Sequence, residues 1–159
     1  YDDRGLPASV QSPDSGLRAT TYNAFGELAT ETDATGATIR HAYDALGRLA
    51  TRTDPAGTAT WEYGTVAGPA FGQPVRVSTP AGGGNAAYSE AYAYDGAGRR
   101  SRVTTTIDGT GYVTDLAYDE LGRLGMLTYP ATVGGARPRF RYRYDNAGFL
   151  AVVEQDASG

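Results

Sequence analysis

The stretch Tyr43-Asp44-Ala45-Leu46-Gly47-Arg48-Leu49 decides the fold, because its pattern returns at intervals along the chain. Asp at the first position of a type I turn accepts hydrogen bonds from backbone N–H groups two residues on. Gly at the fourth position adopts the left-handed conformation that forms a G1 bulge and reverses the chain. Each copy therefore predicts a β-hairpin turn, and we expect positive φ at Gly47 and Gly122. The other copies lie at residues 22–28, 94–100, 118–124 and 144–150.

Glycine also recurs on a shorter scale, every 10 or 11 residues over the first third of the chain. This is the distance that a short strand and a tight turn require. Further Asp-x-x-Gly turns are predicted at residues 33–36, 54–57 and 108–111. Pro55 suits the second turn position, where its fixed φ is tolerated. The recurring glycines are Gly5, Gly16, Gly26, Gly36, Gly47 and Gly57.

Between the turns, polar and apolar residues alternate with the period of a half-buried strand. No segment shows a sustained helical period. The sequence therefore predicts an all-β fold of tandem antiparallel β-hairpins. Three groups of residues are each expected to share a face: Ile39, His41 and Tyr43; Ala59, Trp61 and Tyr63; and Leu49, Thr51 and Thr53, opposed by Ala50, Arg52 and Asp54.

Composition excludes several classes of function. The chain has no Cys, so it has no disulfide, no thiolate zinc site and no cysteine nucleophile. Its net charge of −4 gives no reason to expect nucleic acid, because nucleic-acid binders usually carry a basic excess. No apolar run approaches the length of a membrane span, and the first residues lack the features of a signal peptide. We expect no nucleic-acid partner and no membrane span.

The motif resembles the Tyr-Asp-x-x-Gly-Arg-Leu signature of the RHS or YD-repeat family, and the resemblance covers nearly all of residues 1–159. Arg is replaced in some copies, so we expect that position to be dispensable to the fold, whereas Tyr and Gly persist. The register is interrupted at about residues 64–87, where a loop-rich insertion is expected around one strand near residues 75–79. We expect the chain to be a fragment of a longer array, because it opens inside a motif and residues 156–159 have the Asp-x-x-Gly pattern. Departures from the signature are Asn23, Glu27, Arg100 and Phe149.

The resemblance implies a structural role. Long arrays of this family, in bacterial RHS proteins, insecticidal toxin complexes and teneurins, wind a curved sheet into a hollow β-spiral shell. This chain would then be a non-catalytic segment of such a shell, enclosing a C-terminal toxin or other cargo. The implied partners are the flanking repeats and an encapsulated toxin polypeptide, and the implied location is secreted or at the cell surface. We expect no catalytic, metal-binding or cofactor-binding residue and no cofactor.

Three other classes of function, an enzyme, a calcium-binding protein and a carbohydrate-binding module, would each depend on particular residues. An enzyme would have to use His41, the single histidine, which alternates as an ordinary strand residue does. Asp54-Pro55 is similar to the Asp-Pro dipeptides of the family's autoproteolytic core, but its place in the glycine ladder favours a simple turn. Calcium is disfavoured because the turns lack the dense run of oxygen ligands that a calcium loop needs. A carbohydrate or cell-surface binding module would use aromatic rings as binding platforms. The candidate rings are those of Trp61, Tyr63, Tyr88, Tyr92 and Tyr94. In the alternative interpretation these rings pack between neighbouring hairpins.

An arginine stripe near the end of the chain has two interpretations as well. Period 2 places the arginines on one face of a strand and the rings on the other. The stripe is either a binding track for an anionic partner or a solvated face neutralised by acids on the neighbouring strand, and the net charge favours the second. The stripe is Arg137, Arg139, Arg141 and Arg143, alternating with Pro138, Phe140, Tyr142 and Tyr144.

Overall fold

The structure is a computed structural model that describes residues 1–156, and these residues form thirteen β-strands and no helix. The all-β class is therefore confirmed, and no described segment is a helix able to cross a membrane. The strands are β1 (Ser9–Ser12), β2 (Gly16–Tyr22), β3 (Leu28–Thr32), β4 (Thr38–Tyr43), β5 (Leu49–Asp54), β6 (Gly57–Tyr63), β7 (Pro74–Thr79), β8 (Tyr88–Tyr94), β9 (Arg100–Ile107), β10 (Thr110–Tyr118), β11 (Leu124–Thr128), β12 (Arg139–Tyr144) and β13 (Leu150–Gln155).

The chain divides into two compact units, one of residues 1–62 and 77–87 and the other of residues 63–76 and those from 88 onward. In the first unit, β1 to β6 pair antiparallel, each strand with the next in the chain. In the second unit, β8 to β13 pair in the same manner. Short turns place consecutive strands side by side. The predicted tandem antiparallel hairpins are confirmed.

The hairpins alternate between two kinds. Where the loop carries the motif, the pairing register shifts by one residue beside the motif tyrosine, as a β-bulge produces. The hairpins β1–β2, β3–β4, β5–β6 and β9–β10 keep a regular register. The structural repeat is therefore two strands long. The tyrosines at the bulges are Tyr22, Tyr43, Tyr94, Tyr118 and Tyr144.

The bulge corrects one predicted face. Leu49 pairs with Tyr43, whereas Thr51 pairs with Ala42, and the register shifts between these two pairs. Tyr43 and Ala42 are successive strand residues and point to opposite faces. Leu49 therefore does not share a face with Thr51, and that prediction was wrong because Ala50 is the extra residue of a bulge.

The motif turn has the predicted geometry. The Gly47 N–H donates to the Asp44 carbonyl over 3.0 Å, and the Asp44 N–H donates to the Arg48 carbonyl over 2.9 Å. Asp44 Oδ1 accepts from the N–H groups of Leu46 and Arg48, at 2.9 and 3.0 Å. The φ angles of Gly47 and Gly122 are 74° and 79°, so the predicted positive φ is confirmed at both.

One predicted turn lies elsewhere. Ile107 pairs with Thr110, so the loop between β9 and β10 has two residues, Asp108 and Gly109, and Gly111 lies within β10. Asp108 and Gly109 have φ of 49° and 83°, as the mirror-image type I′ turn requires. The four-residue turn expected at 108–111 was wrong, because the Asp-Gly dipeptide already makes the tighter turn that suits strand twist.

The turn at residues 54–57 is also a two-residue hairpin. Asp54 pairs directly with Gly57, without a register shift, and Pro55 occupies the second turn position. The Ala56 N–H donates to Asp54 Oδ1 over 2.9 Å. The predicted reversal and the role of Pro55 are thus confirmed, while the predicted G1 bulge does not form.

A lengthened loop at residues 64–73 retains the closing bonds of the motif turn. The Gly64 N–H donates to the Gln73 carbonyl and the Gly72 N–H donates to the Gly64 carbonyl, both over 2.9 Å. These bonds match those of Asp44 with Arg48 and Gly47, and Gly72 has φ of 73°. We interpret this loop as a lengthened copy of the turn. That residues 64–87 are a loop-rich insertion within a single repeat array stays a prediction.

The described residues include no buried hydrophobic residue. Cohesion therefore depends on the strand ladders and on contacts between successive hairpins, because no enclosed apolar core is present among residues 1–156.

Candidate functional site

Each complete motif turn holds an ion pair across its base. Arg48 donates to Asp44 Oδ2 through Nε at 2.7 Å, and its Nη2 lies 2.6 Å from the same oxygen. Asp95 and Arg99 form the same pair, at 2.8 and 2.7 Å. The hydrogen bond from the arginine is the largest cause that lowers the pKa of Asp44 and of Asp95. These carboxylates are therefore held ionised within the turn.

The arginine is not required for the turn itself. Phe149 stands at the arginine position of the last copy, and the Asp145 N–H still donates to its carbonyl over 2.9 Å. The Gly148 N–H likewise donates to the Asp145 carbonyl over 3.0 Å. The backbone of the turn thus forms without arginine, in agreement with the expectation that this position is dispensable to the local fold.

The arginine instead connects one copy to the next. The Arg99 guanidinium carbon lies 4.4 Å from the ring centre of Tyr118, and that of Arg123 lies 4.2 Å from the ring centre of Tyr144. Both distances are typical of a cation–π contact. We call the unit of turn aspartate, arginine and next motif tyrosine the clasp. Sequence analysis missed it, although the signal was present, since Arg follows the motif glycine one copy before each of these tyrosines.

The tyrosine hydroxyl makes a second contact with the preceding copy. Tyr118 OH donates to the Arg100 carbonyl over 2.8 Å, and Tyr144 OH donates to the Leu124 carbonyl over 3.0 Å. In every copy with this bond the acceptor lies two residues after a glycine of positive φ. A motif tyrosine is thereby fixed to its predecessor. The same bond joins Tyr22 to Pro7, Tyr43 to Leu28 and Tyr94 to Pro74.

His41 lies on the predicted face but is not assembled with catalytic partners. Its Nε2 is 3.9 Å from Glu31 Oε1, its side chain is 11% exposed, and its Nδ1 has no hydrogen-bond partner among the described residues. Within residues 1–156 no three His, Cys, Asp or Glu side chains are grouped closely enough to hold a metal ion. Asp54 lies in its turn, and the hydrogen bond from the Ala56 N–H lowers its pKa, helped by Arg52. The chain's non-catalytic nature stays a prediction.

Three rings of the candidate aromatic platform, those of Tyr88, Tyr92 and Tyr94, make contacts within the second unit. Tyr88 and Tyr92 both donate a hydroxyl hydrogen bond to Glu90, and Arg100 lies 4.3 Å from the ring centre of Tyr92. Burial and the bond to Glu90 raise the pKa of Tyr92 to about 12. Tyr94 binds the Pro74 carbonyl. These contacts favour the packing interpretation, and carbohydrate binding stays a hypothesis.

The arginine stripe faces acids in its own unit. Arg143 lies 2.7 Å from Glu154, and Arg137 lies 2.7 Å from Asp115. Arg139 and Arg141 both approach Asp156, at 3.5 and 3.3 Å. β12 and β13 are neighbours, so the pairs with Glu154 and Asp156 join adjacent parts of the sheet. This pairing supports the interpretation of a solvated face neutralised by acids over that of a binding track for an anionic partner.

Comparison with known proteins identifies the repeat. Residues 1–38, 22–59 and 43–68 match the RHS Repeat family. The matches begin at Tyr1, Tyr22 and Tyr43, one two-strand repeat apart. No curated protein matches the chain significantly.

Similar solved structures are large toxin-complex chains. TcdB2-TccC3 is 16% identical with a TM-score of 0.43, and TcdB2-TccC3-TEV is 17% identical with a TM-score of 0.41. The Tc holotoxin pore of Photorhabdus luminescens, with a mutation in TccC3, is 17% identical with a TM-score of 0.42. The alignments cover 99% or 100% of this chain but 12% of each of those chains. Residues 1–68 therefore match the RHS Repeat family in three overlapping copies that begin at motif tyrosines, and the same motif turn recurs in the chain beyond them.

Proposed function

We propose that this chain is a structural segment of the wall of an RHS shell, and that the shell of the parent protein encloses a polypeptide cargo such as a C-terminal toxin segment. The observation that carries the proposal is the repeated attachment of each motif tyrosine to the copy before it. In repeat proteins, stability comes from contacts between neighbouring repeats. A wall needs such contacts along its whole length, and the hydroxyl bonds of the motif tyrosines supply them.

The exposed apolar residues support membership in a larger assembly. The residue before the motif glycine is strongly exposed in several copies: Phe25 at 89%, and Leu46 and Leu121 each at 75%. We propose that other parts of the parent protein cover these side chains, which occupy the same position of each motif turn. We propose the flanking repeats as the direct partners. By family, the parent protein is proposed to be secreted or displayed at the cell surface.

The proposal is tested on the full-length parent protein. Limited proteolysis of the wild type should leave the enclosed segment intact, because protease cannot pass a closed wall. Replacing Tyr118 and Tyr144 together with Ser should loosen two successive copies and make that segment cleavable. Arg143→Ser serves as the control, since it removes an exposed pair and leaves the clasp unchanged. A downstream segment that is cleaved equally fast in wild-type and variant parents would refute the enclosing role.

A second candidate, a carbohydrate-binding adhesion module, rests on one observation. Tyr88 is 37% exposed and its hydroxyl binds the Glu90 carboxylate, so a ring face and a polar group are available together. Glycan binding that changes the intrinsic fluorescence of the protein and is lost in Tyr88→Ala would favour this module. Unchanged fluorescence across a broad glycan panel would favour the wall.

A further inference from the structure

One copy of the motif carries the clasp with its charge inverted. Asn23 stands where other copies have Asp, and Glu27 stands where they have Arg. The backbone of this turn is unchanged, because the Asn23 N–H donates to the Glu27 carbonyl over 2.9 Å and the Gly26 N–H donates to the Asn23 carbonyl over 3.1 Å. Asn23 Nδ2 donates to Glu27 Oε2 over 2.6 Å in place of the ion pair. A carboxylate therefore replaces a guanidinium at the same place in the repeat.

Glu27 and Arg99 are equivalent in their location in the structure as well as in their place in the motif. A Cβ atom placed on Gly122 would lie 3.2 Å from Arg99 Nη1, the side chain that reaches over from the preceding copy. A Cβ atom placed on Gly47 would lie 2.8 Å from Glu27 Oε1. Both side chains thus extend from the residue after one motif glycine to the next motif glycine. Glu27 occupies the site that Arg99 occupies in its copy.

This inverted clasp opens onto a cavity. The cavity has a volume of about 590 Å³, within the range of ligand sites. Within residues 1–156 no guanidinium stacks on the Tyr43 ring, unlike the rings of Tyr118 and Tyr144. Burial, then Glu27 and Glu31, raise the pKa of the Tyr43 phenol, as expected for a ring in a negative environment. The lining residues are Asn23, Phe25, Glu27, His41, Ala42, Tyr43, Asp44, Ala45 and Gly47.

The charges around the cavity leave Glu27 without a counterion. Among the described residues Glu27 forms no ion pair, and its carboxylate is bound by the neutral amide of Asn23. Asp44 is paired with Arg48, and Glu31 has Arg18 at 3.6 Å. The nearby Arg4 is directed to Asp2 and to the Asn23 carbonyl. One negative charge beside an aromatic ring is thus available to a cation from outside.

We propose that the cavity between the turns at residues 23–27 and 44–48 binds the guanidinium of an arginine side chain presented by a polypeptide. The guanidinium pairs with the Glu27 carboxylate and lies against the Tyr43 ring, so that the partner completes the clasp that Arg99 and Arg123 complete internally. Arginine is preferred over lysine because its planar group both forks onto a carboxylate and stacks on a ring. The proposal does not depend on the shell role, because the site is formed by this chain alone.

The test uses the full chain with ¹³C-labelled tyrosine rings, titrated with N-acetyl-L-arginine amide. We expect a saturable shift of the Tyr43 ring signals, absent with the neutral isostere N-acetyl-L-citrulline amide and weaker with N-acetyl-L-lysine amide. Glu27→Gln removes the charge and should weaken binding about tenfold, the loss expected for one charge-assisted contact. Glu62→Gln removes an exposed charge of the same kind from β6 and should leave binding unchanged.

A double variant keeps the test decisive if Glu27→Gln fails to fold. Asn23→Asp with Glu27→Arg restores the usual clasp, so its own guanidinium should fill the site and abolish the response to the arginine probe. Equal shifts with the citrulline probe, equal affinity for the lysine probe, or full binding by either Glu27 variant would overturn the proposal. An equal loss of binding in Glu62→Gln would also overturn the proposal, because the loss would then come from the change in net charge and not from the carboxylate in the cavity.

Discussion

The contact between Arg123 and Tyr144 gives the sharpest prediction, because one pair of side chains joins two successive copies. Arg123 is 31% exposed and lies 4.2 Å from the ring centre, so the pair is partly shielded from water. A cation–π contact in such a setting contributes about 0.5–1 kcal/mol. A double-mutant cycle of Arg123→Met and Tyr144→Leu, measured by urea unfolding, should therefore give a coupling free energy of that size. The Arg123 side-chain NMR signals should lose their ring-current shift in Tyr144→Leu.

The matched control pairs Tyr144→Leu with Arg99→Met. Arg99 stacks on Tyr118 instead, so its substitution and that of Tyr144 should be additive within about 0.3 kcal/mol. Tyr144→Phe should lower the free energy of unfolding by about 0.5–1.5 kcal/mol, because it removes the hydroxyl bond to Leu124 and keeps the ring. Equal coupling in the two cycles would refute the clasp as a specific contact.

Three further outcomes are expected. Gly47→Val should lower the free energy of unfolding by about 1–2 kcal/mol or more, since Gly47 has φ of 74°, and an unchanged melting temperature would contradict the turn assignment. Tyr142→Ser should cost at least about 1 kcal/mol while Arg141→Ser costs less than about 0.5 kcal/mol, and the reverse order in urea unfolding would reject the face assignment. The folded pKa of Asp44 lies below its ordinary 3.8, so its stabilising contribution is present above that pH and disappears as the pH falls through the folded value. Acid titration should therefore show a smaller loss of stability in Asp44→Asn than in the wild type.

The turns were predictable because their chemistry is local. An aspartate and a glycine three residues later contain everything that the loop at residues 44–48 needs. The segment 108–111 was misjudged because Gly109 and Gly111 both follow Asp108, and spacing alone does not say which of them closes the turn. The preference of the Asp-Gly dipeptide for a type I′ turn was the signal that resolves it.

Features that depend on a neighbouring strand were not predictable from one segment. The bulge at Ala50 exists only in the pairing of β4 with β5, so simple alternation placed Leu49 on the wrong face. The clasp spans two copies, and its partners are separated by a full repeat. The inverted copy with Glu27 was noted as a departure from the signature. The role of Glu27 follows only from the structure. There Arg99 extends to the next copy and lies over the Tyr118 ring, and Glu27 takes the equivalent position in its own copy.

The hydroxyl contact explains why the residue that supplies the acceptor carbonyl varies between copies, whereas the donor is a tyrosine in each of them. The acceptor is a backbone carbonyl, which every residue supplies, so the position can be Leu in one copy and Arg or Pro in another, as Leu124, Arg100 and Pro74 show. The donor must be a phenol, because only tyrosine has a rigid ring long enough to reach the preceding strand with a hydroxyl at its end. Substitution at the acceptor therefore leaves the contact intact, whereas substitution of the tyrosine removes it. The array can thus accept changes of charge such as that at Glu27, and with them new surface chemistry, without losing the attachment between its copies.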